Sequence, residues 1–247
     1  MKGIDKMPKI ALTILSILVV IVLLVLVVSL IANMTFNQKV KKEVSNFFDY
    51  SMENNTKIIT ESDIRGLPPS VQKWLKSSQV LGKEKINSVR LKQKATMRLK
   101  EDKPWMPAEA EQYFKIDEPG FIWKADIKIA PLFNIVGRDM YYDGRGNMLI
   151  KLLAFIPISD ARGKEIDQGT LLRYLAETVW FPTAALSSYI KWEEIDSNSA
   201  MATLSYKGVS ASGVFSFNEK GEIINFVAER YMDSNNLFAI INKAYNV

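Results

Sequence analysis

VRLKQKATMRL, residues 89–99, decides what kind of fold this chain makes. Val89, Leu91, Ala95, Met97 and Leu99 fall on one side of an extended chain, and Arg90, Lys92, Lys94, Thr96 and Arg98 on the other. Side chains alternate across a strand with period two, so the stretch reads as an antiparallel strand with one face in a core and one in water. Four bases on one face would suit a polyanion. A solvated face paired with Glu109 and Glu111 of the next strand is the better reading, because the charge of the surrounding domain sums to zero.

The same period repeats downstream. Ala108 to Ile116 is the next strand, and Glu118-Pro119-Gly120-Phe121 fits a type II turn with Gly120 taking the positive φ. Phe121, Trp123, Ala125, Ile127 and Ile129 then share a face against Lys124, Asp126 and Lys128. Asn134 to Tyr142 follows, is turned by Asp143-Gly144-Arg145-Gly146, and returns as Asn147 to Phe155. One helical segment interrupts the strands, Gly169 to Pro182, with Thr170 as N-cap and Leu172, Leu175, Ala176 and Val179 as its buried stripe. Strand pattern resumes at Lys191 to Ile195, Ala200 to Tyr206, Ser210 to Phe217 and Glu222 to Tyr231. Short helices precede the strands: Thr60 to Asp63 opens one that stops at Gly66, and Ser70 to Ser78 forms a second with Val71, Trp74 and Leu75 inward. About eight strands without strand–helix alternation predict an α+β domain, residues 61–247, built on one curved, mostly antiparallel sheet with flanking helices.

Upstream, IALTILSILVVIVLLVLVVSLIA, residues 10–32, holds no charge, Gly or Pro. At about 1.5 Å per residue it spans roughly 34 Å, enough to cross a hydrocarbon core of about 30 Å. Thr13, Ser16 and Ser29 can return their hydroxyl bonds to the helix backbone. The stretch reads as a single-pass transmembrane helix and an uncleaved signal anchor. A cleaved signal would have an apolar core of about 7–15 residues and small residues before the cut. Residues 33–60 are a juxtamembrane helix and linker, with Val40, Val44, Phe47 and Phe48 at helical spacing. That face either packs on the domain, the favoured reading, or lies on the headgroups.

The chain carries a formal +5. Lys2, Lys6 and Lys9 against Asp5 place +2 in the tail, residues 1–9, and Lys39, Lys41 and Lys42 place +3 after the span. Nothing remains for residues 43–247. Basic flanks on a neutral domain point to anionic lipid headgroups and away from nucleic acid. The nearness of Lys9 and the amino terminus to the span favours a cytoplasmic tail, hence a cell-membrane protein with an extracytoplasmic domain in the envelope.

There is no Cys and no His. Thiol catalysis, disulfides, imidazole ligands and Ser–His triads are excluded. No phosphate loop, paired metal carboxylates or nucleophile elbow is present, so neither cofactor nor metal is expected. What remains is a carboxylate and aromatic constellation. Arg173, Glu177 and Trp180 fall on one side of the predicted helix. Glu177 suits an acid, a base or a ligand contact, Arg173 an anion clamp and Trp180 a pocket wall. The competing reading is an ion pair that ties the helix to the sheet beside a packing Trp. Asp139, mid-strand, is placed to meet Arg173 or Arg138, while Asp143 reads as the turn residue of Asp-Gly. Trp105, Phe121, Trp123, Tyr141, Trp180 and Phe181 line either a pocket or the core.

Four blocks also carry a resemblance. Leu67-Pro68-Pro69-Ser70-Val71-Gln72-Lys73-Trp74-Leu75 comes first, then Pro119-Gly120-Phe121-Ile122-Trp123-Lys124-Ala125. Gly137-Arg138-Asp139-Met140-Tyr141-Tyr142-Asp143-Gly144-Arg145-Gly146 follows, and last the run from Arg173 to Ala184. In this order they resemble an uncharacterised family of bacterial, often membrane-anchored proteins, over roughly Leu67 to Met232. The resemblance implies a shared domain and no assigned activity. By analogy its fold suggests the curved sheets of lipoprotein-carrier-like proteins, which hold lipid on a concave apolar face.

The expectation is a membrane-anchored, non-enzymatic domain that holds an apolar or amphiphilic ligand, with Arg173, Glu177, Trp180, Asp139, Arg138 and Trp123 around it, or that presents a surface to a partner protein. A carboxylate hydrolase using Glu177 and Asp139, and a purely structural envelope protein, are the alternatives.

Overall fold

The computed structural model describes residues 9–48, 57–98, 102–231 and 238–240. Leu99 and Met232, and the last residues expected of the juxtamembrane helix, lie outside them.

Helix α1 runs unbroken from Lys9–Phe48. No Gly or Pro interrupts these forty residues, so the span and the juxtamembrane segment are one rod of about 60 Å. Its first half is long and apolar enough to cross a membrane, and none of its most apolar window is buried in the protein. Thr13 and Ser16 donate to the carbonyls of Lys9 and Leu12, as expected of polar groups in such a helix. Ser29 instead donates to the carbonyl of Leu153 in the folded domain, 3.1 Å away.

Two short helices follow, α2 (Glu61–Ile64) and α3 (Pro69–Ser77). Thr60 and Asp63 form a capping box that starts α2. Val71, Trp74 and Leu75 of α3 are buried at the spacing expected.

Six strands form an antiparallel meander paired in chain order: β1 (Ser88–Met97), β2 (Met106–Lys115), β3 (Gly120–Ala130), β4 (Phe133–Tyr142), β5 (Arg145–Leu152) and β6 (Ile156–Ala161). Lys92 faces Glu111 and Lys94 faces Glu109, so the basic face of β1 is answered by its neighbour. β6 was not legible in the sequence because Pro157 interrupts it. The strand is at the sheet edge, where a missing N–H costs no ladder bond.

The turn before β3 also differs from expectation. Residues Ile116 to Pro119 make the turn, and Gly120 is already in the strand, opposite Lys115. Glycine is required there by close approach: a Cβ would stand 2.9 Å from Cε2 of Phe47 and 3.1 Å from the carbonyl of Tyr141. Phe47 belongs to the buried stripe of α1. Phe36, Val40 and Phe47, flanked by Ala32, Val44 and Phe48, pack on Ile122, Val136, Leu149 and Ala154. The juxtamembrane half of α1 is therefore cover for the outer face of the sheet.

Helix α4 spans Lys164–Glu177 and caps on Gly163, beginning six residues before the expected N-cap at Thr170. Thr170 lies inside it and donates to the carbonyl of Ile166. The helix can seat on β5 because Gly146 has no side chain: a Cβ would lie 2.6 Å from the Ile166 carbonyl. Asp167 fixes the seat by accepting the Gly146 N–H at 2.6 Å.

After α4 come two 3-10 turns, Thr178–Trp180 and Pro182–Leu186. A second antiparallel sheet follows, made of β7 (Ile190–Asp196), β8 (Ser199–Tyr206), β9 (Val209–Phe217) and β10 (Ile223–Val227). Two further short strands, β11 (Glu229–Tyr231) and β12 (Phe238–Ile240), pair separately. The architecture is α+β and antiparallel as expected, in two main sheets where a single one was anticipated. α4 interrupts the meander and starts a new one, whose faces meet in a core around Trp74, Tyr174, Phe114, Phe181 and Phe215.

Candidate functional site

The inner face of the six-stranded sheet carries Phe121 and Trp123 on β3 and Asp139 on β4. α4 lies across it and lowers Arg173 between them. The guanidinium stacks over the Phe121 ring at 4.9 Å and the Trp123 ring at 5.0 Å. Its Nη1 donates to Asp139 Oδ2 at 2.5 Å, and its Nε to Glu177 Oε1 at 3.0 Å, one helical turn on. The three side chains are 18%, 14% and 4% exposed. Burial pulls against the charged form of Arg173, but the two carboxylates outweigh it and hold its pKa above the ordinary value.

Two glutamines extend the cluster. Gln112 Nε2 donates to Glu177 Oε2 at 2.6 Å, Gln93 Nε2 to Gln112 Oε1 at 3.2 Å, and Trp123 Nε1 to Gln93 Oε1 at 2.9 Å. The sequence reading passed over both. Their signal was present: Gln93 sits between Leu91 and Ala95, and Gln112 between Ala110 and Phe114, on the apolar sides of their strands.

Of the residues singled out from sequence, Arg173, Glu177, Asp139 and Trp123 meet here. Arg138 does not. Adjacent strand residues point to opposite faces, and Arg138 turns outward to Glu43 of α1, Nε to Oε2 3.2 Å, in an ion pair not aligned as a hydrogen bond. It is almost wholly buried, and this desolvation lowers its pKa against the pull of Glu43. Trp180 does not join the cluster either. α4 ends at Glu177, so the helical spacing that aligned Trp180 stops short of it. Its ring stands half-exposed, edge-on to Phe114 at 6.3 Å. Phe121, Tyr141 and Phe181 are core, and Trp105 is exposed.

Beside the cluster opens a cavity of about 550 Å³. Met97, Ile127, Ile135 and Ile150 of the sheet, Leu172 and Ala176 of α4 and Phe226 of β10 form apolar walls, and Trp123, Asp139 and Arg173 form a polar end. Asp139 Oδ1 is buried and accepts no hydrogen bond from the described protein groups. The charged residues on the lining are Arg138, Asp139 and Arg173; Arg138 is answered by Glu43, and Arg173 by Asp139 and Glu177. With its charges paired, this end suits a neutral hydrogen-bonding head. Among the described residues, no three acidic, His or Cys side chains gather as metal ligands would.

A family model described as "Family of unknown function (DUF6544)" matches residues 57–240. No curated protein and no solved structure matches.

Proposed function

We propose that this chain, which belongs to that family of unknown function, is a membrane-anchored domain that holds one amphiphilic molecule between its six-stranded sheet and α4. The observation that carries the reading is the cavity: about 550 Å³, apolar along its walls, with Asp139 and Arg173 on its lining. Pockets of about 300–1,000 Å³ with apolar walls and a few convergent polar groups are the usual form of small-molecule sites. The ligand's apolar part lies against Ile127, Ile135 and Ile150, and its head, a neutral polyol, meets Asp139 and Arg173. α1 crosses the cell membrane once, with Lys2, Lys6 and Lys9 on the cytoplasmic side and the domain outside. A carboxylate hydrolase has less behind it. Arg173 engages both carboxylates, and Glu177 also accepts from Gln112, so both are held in an ion-pair network that ties α4 to the sheet.

The test is native mass spectrometry of the full chain released from membranes in mild detergent. A bound amphiphile is expected, and Ile135→Trp, which fills the cavity, should remove it. If the chain carries nothing, and Trp123 fluorescence is not quenched by a brominated monoacylglycerol, the reading falls.

A further inference from the structure

The six-stranded sheet has two ends. The turns at residues 116–119 and 143–144 lie at one, and residues 102–105 before β2 and the connections at 131–132 and 153–155 at the other. α1 runs along the strands from the second end to the first. Ser29 bonds Leu153, and eighteen residues later Phe47 packs on Gly120 and Tyr142. The half of α1 before Ser29 therefore leaves the domain past the end that carries Leu132 and Leu153.

Distance fixes where that end stands. From Lys9 to Ser29 a helix rises about 30 Å, the thickness of a hydrocarbon core. With Lys9 at one boundary of that core, Ser29 is at the other, and Leu153, hydrogen-bonded to it, is at the same level. The neighbouring hairpin is there too, because the Leu153 N–H donates to the Asn134 carbonyl at 2.8 Å.

The surface at this level is apolar and open. Leu132 is 69% exposed, and Trp105, Phe133, Ile129 and Ile156 are also exposed. The backbone sharpens the point. Leu132, Leu153 and Ala154 all hold positive φ, at 67°, 52° and 64°; Leu132 is exposed, while Leu153 and Ala154 are buried, Ala154 against α1. Such positions favour Gly or Asn, and a larger side chain costs about 1 kcal/mol or more. At the far end the positive-φ turns are Asp143-Gly144 and Lys207-Gly208, each a glycine after a polar residue, with Asp143 at 53° and Lys207 at 47°. Polar turn residues thus stand away from the anchor, and strained apolar ones stand beside it. Arg98 and Lys128 are exposed around the apolar tips, as are Lys103 and its ion-pair partner Asp102, and Arg98 stacks over the Trp105 ring at 4.8 Å. Aromatic and basic groups around an apolar tip are the pattern of a surface seated in headgroups.

We infer that the hairpin tips at Leu132–Phe133 and at Ile156, with Trp105 beside them, dock into the leaflet that α1 leaves, so that the domain is held to the bilayer by its end as well as by its rod. This rests on the anchoring part of the function proposed above. Met97, Ile127 and Ile135, walls of the cavity, are near the same end of their strands, which makes the bilayer itself the source of the cavity's ligand.

The chain has no Cys, so single labels are unambiguous. Full-length Leu132→Cys, Phe133→Cys, Val19→Cys and Arg145→Cys would each carry an environment-sensitive fluorophore in phosphatidylcholine–phosphatidylglycerol vesicles containing nitroxide lipid. The expected result is a blue shift and loss of emission at positions 132, 133 and 19, with Arg145→Cys unchanged at the far turn. Quenching at 19 with water-like emission at 132 and 133 would overturn the docking and leave the anchor standing. A blue shift at 132 without quenching would mean that protein covers the tips, and would overturn it as well. No quenching at 19 would remove the anchor, and the docking with it.

Discussion

Replacing Arg173 with methionine is expected to be among the most damaging single changes in this domain. Methionine keeps an unbranched stem of similar reach over the Phe121 and Trp123 rings, so the change removes charge and hydrogen bonds more than packing. Asp139 and Glu177, 14% and 4% exposed, then face each other with no cation between them. Removing one partner of a buried pair costs about 3–5 kcal/mol. The two ion pairs share one guanidinium, so their costs do not add, and the upper part of that range is the ceiling. The control is the triple variant Arg173→Met, Asp139→Asn, Glu177→Gln, which removes every charge. It should recover more than half of the loss, since a buried charge network replaced as a whole is often near neutral. Urea unfolding of the full chain in detergent, followed by tryptophan fluorescence, gives both numbers. A loss under about 1 kcal/mol for the single variant, the range of an exposed pair, would refute the reasoning. So would a triple variant no more stable than the single one.

Two further outcomes follow from the geometry. Gly120→Ala should destabilise the seat of α1 on the sheet by about 1–3 kcal/mol, because its Cβ meets Phe47 and the Tyr141 carbonyl; protease cleavage between residues 33 and 48 should accelerate, and in a Phe47→Ala background the added methyl should cost less, with the contact to the Tyr141 carbonyl remaining. Asp63 is held at a pKa of about 2, from 3.8, first by its hydrogen bond from Lys57 and then by those from Thr60. A depressed carboxyl stabilises the fold above its unfolded pKa, and that contribution is lost as pH falls from about 4 through 2; the Asp63 carboxyl carbon shift should titrate near 2 and move upward in Lys57→Met.

Much of this protein was legible before any coordinates. Alternation along residues 89–97 and 121–129 is a period of two, broken only at Gln93 and Ile122, and no helix can satisfy it, so antiparallel strands followed directly. Twenty-three residues without charge, Gly or Pro need no context to read as a helix long enough to span a membrane. Asp139 was visible as a charge in mid-strand, and Arg173 and Glu177 as a pair on one side of a helix. Tertiary structure decided what those groups do. Which face of the sheet is covered by α4 and which by α1, and hence what Asp139 and Arg138 meet, depends on how α4 seats on Gly146 and α1 on Gly120. Those are contacts between segments far apart in the chain. The cavity is of the same kind, since its walls come from β1, β3, β4, β5, α4 and β10 and no local pattern describes the space between them. Local periodicity sets which face of a segment is apolar; only packing sets what that face meets.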